Sequence, residues 1–214
     1  MTRTAGAPVT TALKKEFDRQ VSTLLDKDYP SLAGLSPRRF VGLLDPLREH
    51  LSDIRGGEQA IPFLIVVKSA LVPTGAAVER FVVGTRVGWT DMAEEIDTFT
   101  PIDGCAVSES PAYLIVDVDT GAATLNVRPN DALPMIVGAG RTPLTTDEGV
   151  ALVTQHPEVF KTHNAFQALG SRSGDKRIPS FWVSKGAPRL GWCWAGNPHT
   201  WLGAGSAAAR YGSG

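Results

Sequence analysis

Two continuous apolar runs constrain the fold of this 214-residue chain more than any other feature. Residues 61–70 (IPFLIVVKSA) and residues 112–119 (AYLIVDVD) place apolar side chains at successive positions and not at alternate ones. A strand with one face in water alternates apolar and polar residues, whereas a strand that is covered on both faces does not. The two runs therefore predict central strands of a sheet that other elements cover on both sides.

Amphipathic helices are predicted before and after these runs. Residues 10–26 carry apolar side chains at helical spacing, with Thr10 or Thr11 as the N-cap. A second helix begins at Ser36, and Pro46 inside its apolar stripe predicts a kink or two shorter helices.

A third helix has the best-marked start in the chain. Thr145 and Glu148 have the spacing of a capping box, and Asp147 and Glu148 place acids in the first turn, where the helix dipole favours them. We expect this helix to end at about Gln155, before Pro157.

The last third of the chain predicts a β-hairpin. Residues 180–185 (SFWVSK) and 190–195 (LGWCWA) have strand composition, and Gly186-Ala187-Pro188 between them indicates the turn.

Helices that alternate with strands indicate an α+β fold. We expect a single domain over residues 1–214, with a mixed sheet packed with helices, a helical N-terminus and a C-terminal β-hairpin. Residues 1–9 and 204–214 are small, polar or glycine-rich and are predicted to be flexible tails.

Composition excludes several classes of protein. The net charge is −1, from 21 basic and 22 acidic residues, which argues against binding to nucleic acid. No apolar run approaches the ~18 residues of a membrane span, and residues 1–9 lack the apolar core of an export signal. The two cysteines, Cys105 and Cys193, are too few for a disulfide framework. We therefore expect a cytoplasmic protein that binds neither membranes nor nucleic acid.

Asp117 and Asp119 form a pair of carboxylates at the end of the second apolar run. Such pairs serve metal binding or acid–base chemistry, but an Asp-Thr-Gly sequence is also a common turn. The turn is the favoured interpretation.

Cys193, His163 and His199 are the residues from which a metal site or a Cys/His nucleophilic pair would be built. The Cys-x5-His spacing is not that of a known zinc motif, and a cysteine on a hairpin strand is more often buried and inert. We therefore expect no metal and no cofactor, and His199 and His163 remain acid–base candidates.

Tryptophan is the most informative residue type. Four of the five tryptophans lie between residues 182 and 201, interleaved with cationic and amide side chains. This composition favours a pocket for an anionic or aromatic small molecule, although tryptophans that fill a core would give the same pattern. Arg172 lies in a nearby glycine- and serine-rich loop and would add an anion contact. The predicted ligand-binding residues are Lys185, Arg189, Trp192, Trp194, Asn197 and Arg172.

Two classes of function remain open. The chain is either a small-molecule-binding protein or enzyme with this pocket, or an interaction module whose tryptophans form a partner or homo-oligomer surface.

Several stretches together also resemble a known family. They are EFDRQVSTLLDKDYPSLAGLS, PAYLIVDVDTG, NVRPNDALPMIVGAGRTPLTTDEGVALVTQHPEVF and, most specifically, SKGAPRLGWCWAGNPHTWLG. They resemble an uncharacterised bacterial family, a domain of unknown function that occurs as stand-alone cytoplasmic proteins of about this length. The resemblance implies one domain and an intracellular location, and it brings no activity, cofactor or catalytic residue with it.

Overall fold

The structure is a computed structural model that describes residues 11–54, 61–160 and 165–212. The helices are α1 (Thr11–Asp26), α2 (Tyr29–Leu32), α3 (Pro37–Leu44), α4 (Thr74–Val78), α5 (Pro129–Gly138) and α6 (Thr146–Gln155). The strands are β1 (Ile61–Val67), β2 (Val82–Val83), β3 (Arg86–Val87), β4 (Trp89–Thr90), β5 (Thr100–Pro101), β6 (Ala112–Val118), β7 (Thr142–Pro143), β8 (Ala165–Gln167), β9 (Ser171–Arg172), β10 (Arg177–Ser184), β11 (Ala187–Trp194), β12 (Leu202–Ala204), β13 (Ser206–Ala207) and β14 (Ala209–Gly212).

The two apolar runs form adjacent central strands. β1 and β6 pair antiparallel, from Ile61 opposite Val118 to Val67 opposite Ala112, and β14 adds to the other edge of β6. Consecutive residues of both strands are buried, so elements cover both faces of the pair. The prediction of buried strands is confirmed, with each strand ending slightly earlier than expected.

A second sheet has the strand order β12-β8-β10-β11-β4. The β8–β10–β11 pairs are antiparallel, whereas β12 on β8 and β4 on β11 are parallel. This mixed sheet, the N-terminal helices and the first sheet make the single-domain α+β fold that the sequence predicts.

Helix α6 connects the two sheets. It packs on β1, and Gly149 lies so close to β10 that a Cβ there would be 2.3 Å from the ring of Phe181. Nearly every residue of α6 is buried as a result. The predicted capping box at its start is present, with Thr145 N–H donating to Glu148 at 2.8 Å.

The second predicted helix is divided as Pro46 indicated. It begins with Ser36 as N-cap, ends at Leu44 and continues as the 3₁₀ helix Asp45–Ser52.

The turn of the C-terminal hairpin differs from the prediction. Lys185 and Gly186 form a two-residue turn with φ values of 53° and 76°, while Ala187 and Pro188 already belong to β11. Two positive φ values match the right-handed twist of the paired strands, which explains why the tight turn is preferred to the three-residue one.

The prediction of a flexible C-terminal tail is wrong for residues 204–212, which run from the end of β12 through β13 and β14. The small residues there allow close backbone packing. A Cβ on Gly121 would lie 2.3 Å from the backbone nitrogen of Ala204. The predicted tail at residues 1–9 and residues 213–214 lie outside the described residues.

None of the helices in the described residues combines the length and the apolar content that crossing a membrane requires.

Candidate functional site

A pocket of about 540 Å³ lies at the N-terminal end of α6. Most of its wall is formed by residues 68–70, which follow β1, residues 145–147 at the start of α6, and side chains from the segment between residues 96 and 109, and Thr74 and Ser171 complete it. Fold topology brings these three segments together, since the end of β1 and the start of α6 are far apart in the chain.

Asp147 is the carboxylate of the pocket with the most defined environment. Its Oδ2 accepts hydrogen bonds from Ser69 N–H at 3.1 Å and from the Ser69 hydroxyl at 3.3 Å. Among the described residues nothing donates to Oδ1. Burial raises the pKa of Asp147, while the Ser69 hydrogen bonds and the charge of Lys68 act in the opposite direction.

Thr146 contributes a hydroxyl that lacks a partner. The residue lines the pocket and is only 5% exposed, and its Oγ1 makes no hydrogen bond within the described residues. Its backbone N–H donates to the hydroxyl of Ser171 at 3.0 Å, so the unsatisfied group is the side chain alone. Buried polar atoms are nearly always paired in folded proteins, and an unpaired hydroxyl in a pocket wall is a place where a water molecule or a ligand can bind.

The rest of the wall is partly charged and partly apolar. Lys68 donates from Nζ to the carbonyl oxygen of Ser108 at 2.9 Å. Asp97 and Glu109 lie exposed at the rim, and the buried ring of Phe99 supplies an apolar surface. The pocket therefore combines carboxylates, hydroxyls and a hydrophobic side.

A buried ion pair holds the first turn of α6 from behind the pocket. Arg210 on β14 donates to both carboxylate oxygens of Glu148, at 2.5 and 2.9 Å, and the Tyr113 hydroxyl donates to the same carboxylate at 2.9 Å. The side chain of Glu148 is 0% exposed and that of Arg210 is 6% exposed. The position of the first turn thus depends on the last strand.

The predicted hairpin cations are engaged with the protein's own rings. The guanidinium of Arg189 lies 4.6 Å from the ring centroid of Trp89 and 4.7 Å from that of Trp182, and it pairs with Asp91 at 2.5 Å. Lys185 Nζ is 5.8 Å from the Trp89 ring. These indole faces are therefore occupied by side chains of the chain itself.

Trp192 and Trp194 lie on the opposite face of the hairpin. Positions 189 and 192 differ by an odd number, so their side chains leave opposite faces of β11. Trp192 and Trp194 meet edge to face at 4.8 Å, with Arg177 5.6 Å from the Trp192 ring. Trp194 is 46% exposed. The structure thus separates these two tryptophans from Arg189.

The side chains of Arg189, Trp182, Trp201 and His199 form a row of neighbours on one face of the hairpin, with His199 at its end. The His199 ring is 5.5 Å from Trp201, which in turn is 6.3 Å from Trp182, and its Nε2 is buried without a partner in the described part of the chain. Asn197 is exposed in the turn that precedes it.

Arg172 and His163 do not extend this row within the described residues. Arg172 on β9 donates to the carbonyl oxygens of Leu169 and Ser171 at 2.6 and 2.8 Å, and burial lowers its pKa. His163 lies outside the described residues.

The other candidate groups have local partners. Burial raises the pKa of both free thiols, Cys105 and Cys193, which makes them poor nucleophiles. Asp117 pairs with Arg141 at 2.8 Å, and Asp119 accepts from the N–H of Gly121 at 2.7 Å, which is the predicted turn. Over the described ranges, no three His, Cys, Asp or Glu side chains are placed to hold a metal ion.

The sequence does not predict this pocket, although polar residues mark two of its segments. Lys68 and Ser69 interrupt an apolar run where the buried strand ends, and Asp147 follows a capping residue. Each has a sufficient local explanation, so neither position indicates a site until the fold brings them together.

Comparison with known proteins places the chain without assigning it an activity. Neither a curated protein nor a solved structure matches it. One family matches residues 23–213, and the chain therefore belongs to DUF5701, a family of unknown function.

Proposed function

We propose that this protein binds a small polar molecule in the pocket at the start of α6. The observation that carries the proposal is the unpartnered, buried hydroxyl of Thr146 in the wall of the pocket, next to Asp147 with its uncommitted Oδ1. Small-molecule sites are mostly apolar cavities of roughly 300–1,000 Å³ with a few placed polar groups, and this pocket falls in that range.

Asp147 is also the group suited to proton transfer if a reaction takes place there. A carboxyl whose pKa is raised by burial can both give and take a proton nearer to neutrality. We propose a cytoplasmic location for this activity, which the two free cysteines support.

The test is a fragment screen on the ¹⁵N-labelled full chain, read by amide chemical shifts. We expect fragments that shift residues 69, 146 and 147, and we expect Thr146→Val to weaken them about tenfold because it removes one hydrogen bond to the bound molecule. The same variant should keep or slightly raise the free energy of unfolding, since it removes an unsatisfied buried hydroxyl.

Thr154→Val is the matched control. Its hydroxyl is equally buried but is 3.0 Å from the Tyr29 hydroxyl, and Thr154 is not part of the pocket lining. It should lower the free energy of unfolding by about 1 kcal/mol and leave fragment binding unchanged. A library in which no fragment shifts the three pocket amides would contradict the proposed function.

The hairpin tryptophans are the second candidate for a binding site. The exposure of Trp194 favours it, either for the anionic or aromatic ligand that the sequence predicts or for a protein partner or second copy. Fragments that shift the indole N–H of Trp194 and not the pocket amides would favour the ligand. Self-association in light scattering across concentrations, lost on Trp194→Ala, would favour the interaction surface.

A further inference from the structure

We propose that the α6 pocket selects a small organic amine, bound as a cation with Asp147 as its counter-ion. This inference rests on the proposed function of the same pocket, and the ligand differs in place and in charge from the anionic or aromatic molecule that the sequence predicts at the hairpin.

The charges of the pocket favour a cation. The lining contains three carboxylates, Asp97, Glu109 and Asp147, and one basic side chain, Lys68. The ammonium group of Lys68 already donates to the carbonyl oxygen of Ser108. An anion would meet more negative than positive charge here, and a cation would reduce the imbalance.

The start of α6 offers little to an anion, although helix N-termini are common anion sites. Thr145 N–H donates to Glu148, Glu148 N–H donates to Thr145, and Thr146 N–H donates to Ser171. Asp147 and Glu148 also place two negative groups against the positive end of the helix dipole. In the described residues, the N–H of Asp147 is the one N–H of this turn without a partner, so most of the features that normally attract phosphate or carboxylate are satisfied within the protein.

Two acceptors in adjacent residues suit an ammonium group. A primary ammonium donates three hydrogen bonds and accepts none. Asp147 Oδ1 receives no hydrogen bond from the described residues, and the Thr146 hydroxyl has no partner and can accept one. Asp147 supplies the negative charge, and Thr146 supplies a further hydrogen-bond acceptor.

The rest of the pocket indicates that the cation is organic. Ile96 and Phe99 are buried apolar residues of the lining, and Val107 adds a third apolar side chain. A hydrocarbon body can pack there while the ammonium group faces Asp147. A bare metal ion fits less well, because the described residues bring no three metal-ligating side chains together.

The experiment compares three probes of nearly the same shape on the ¹⁵N-labelled full chain at neutral pH. They are phenethylamine, which is cationic, 2-phenylethanol, which is neutral, and phenylacetate, which is anionic. We expect phenethylamine to shift residues 69, 146 and 147 with a Kd about tenfold below that of either other probe, as charge-assisted hydrogen bonds require.

Variants assign the preference to Asp147. Asp147→Asn should remove the preference for phenethylamine, and Glu109→Gln, a change at the exposed rim, should weaken it about two- to threefold. Asp103→Asn is the control, because Asp103 is exposed and is not part of the lining, and it should bind phenethylamine as the wild type does.

Two results would overturn the amine inference without removing the proposed function. One is phenylacetate binding at the pocket amides as tightly as phenethylamine. The other is that none of the three probes shifts the pocket amides, while other fragments of the library do shift them. Retained amine preference in folded Asp147→Asn would overturn the role of Asp147 as counter-ion.

Discussion

Asp147 and Glu148 are neighbours in sequence with opposite environments. Successive helix residues point about 100° apart, so one acid can face the interior while the next faces a cavity. Glu148 turns inward to Arg210, and Asp147 accepts hydrogen bonds from Ser69 beside the pocket. The helix dipole explains why both positions are acidic, but only their surroundings distinguish a structural carboxylate from a candidate ligand-binding one.

The raised pKa of Asp147 predicts a specific pH dependence of stability. The folded protein retains the proton of Asp147 above the ordinary pKa of 3.8, where the unfolded chain has lost it. The contribution of this group to the free energy of unfolding is therefore fully present below that pH and is lost as pH rises through the folded-state pKa. The charged groups around Asp147 are Lys68, Glu148, Asp97 and Glu109, with Tyr29 and Tyr113 as further titratable neighbours.

Asp147→Asn should remove this dependence. Urea unfolding of the wild type and the variant at a series of pH values checks it, and the wild type should lose stability relative to the variant as pH rises. A wild type that instead gains on the variant over the same range would show that the charged form is the stabilised one.

At the scale of elements, α6 is the part of the fold on which the site depends. Its first turn forms a pocket wall, its middle contacts β10 at Gly149, and Glu148 ties it to β14. The last strand thus stabilises a helix start that lies about sixty residues earlier in the chain, through one bidentate ion pair.

Arg210→Met should be among the most destabilising single changes. It leaves the carboxylate of Glu148 unpaired and fully buried, which typically costs about 3–5 kcal/mol. The double variant Glu148→Gln with Arg210→Met should recover part of that loss, because the neutral amide can accept from Thr145 N–H through its oxygen and donate from its NH2 to the Tyr113 hydroxyl oxygen. Urea unfolding measures both, and a loss below about 1 kcal/mol for Arg210→Met would contradict the structural role of the pair.

At the scale of the whole molecule, the two sheets share one core. The same cluster of buried residues contains Phe63 and Leu114 of the first sheet and Phe166, Phe181 and Leu190 of the second. Because the sheets share this cluster and α6 contacts both, neither can lose its packing without exposing apolar surface of the other.

We therefore expect a single unfolding transition. Tryptophan fluorescence reports mainly on the second sheet and far-UV circular dichroism on the helices and both sheets, and their urea midpoints should coincide. Two separated midpoints would show that the sheets unfold independently and would contradict the single domain.

Local sequence signals predicted much of the fold correctly. Apolar runs indicated β1 and β6, Ser36 and Thr145 marked helix starts, and strand composition on both sides of a turn indicated the β10–β11 hairpin. Each of these signals lies within a few residues of the element it describes. The C-terminal strands escaped prediction because small residues look flexible until a partner such as Gly121 approaches their backbone closely.

The sequence by itself determined which segments become helices and buried strands, because caps, turns and apolar periodicity depend on residues that are only a few positions apart. Only the tertiary structure decided which polar side chains meet. Ser69 and Asp147 are 78 positions apart, and Arg189 reaches Asp91 across 98 positions. Such long-range contacts pair the hairpin cations and form the α6 pocket. They arise from strand order and helix packing, and no periodic pattern in the sequence predicts them.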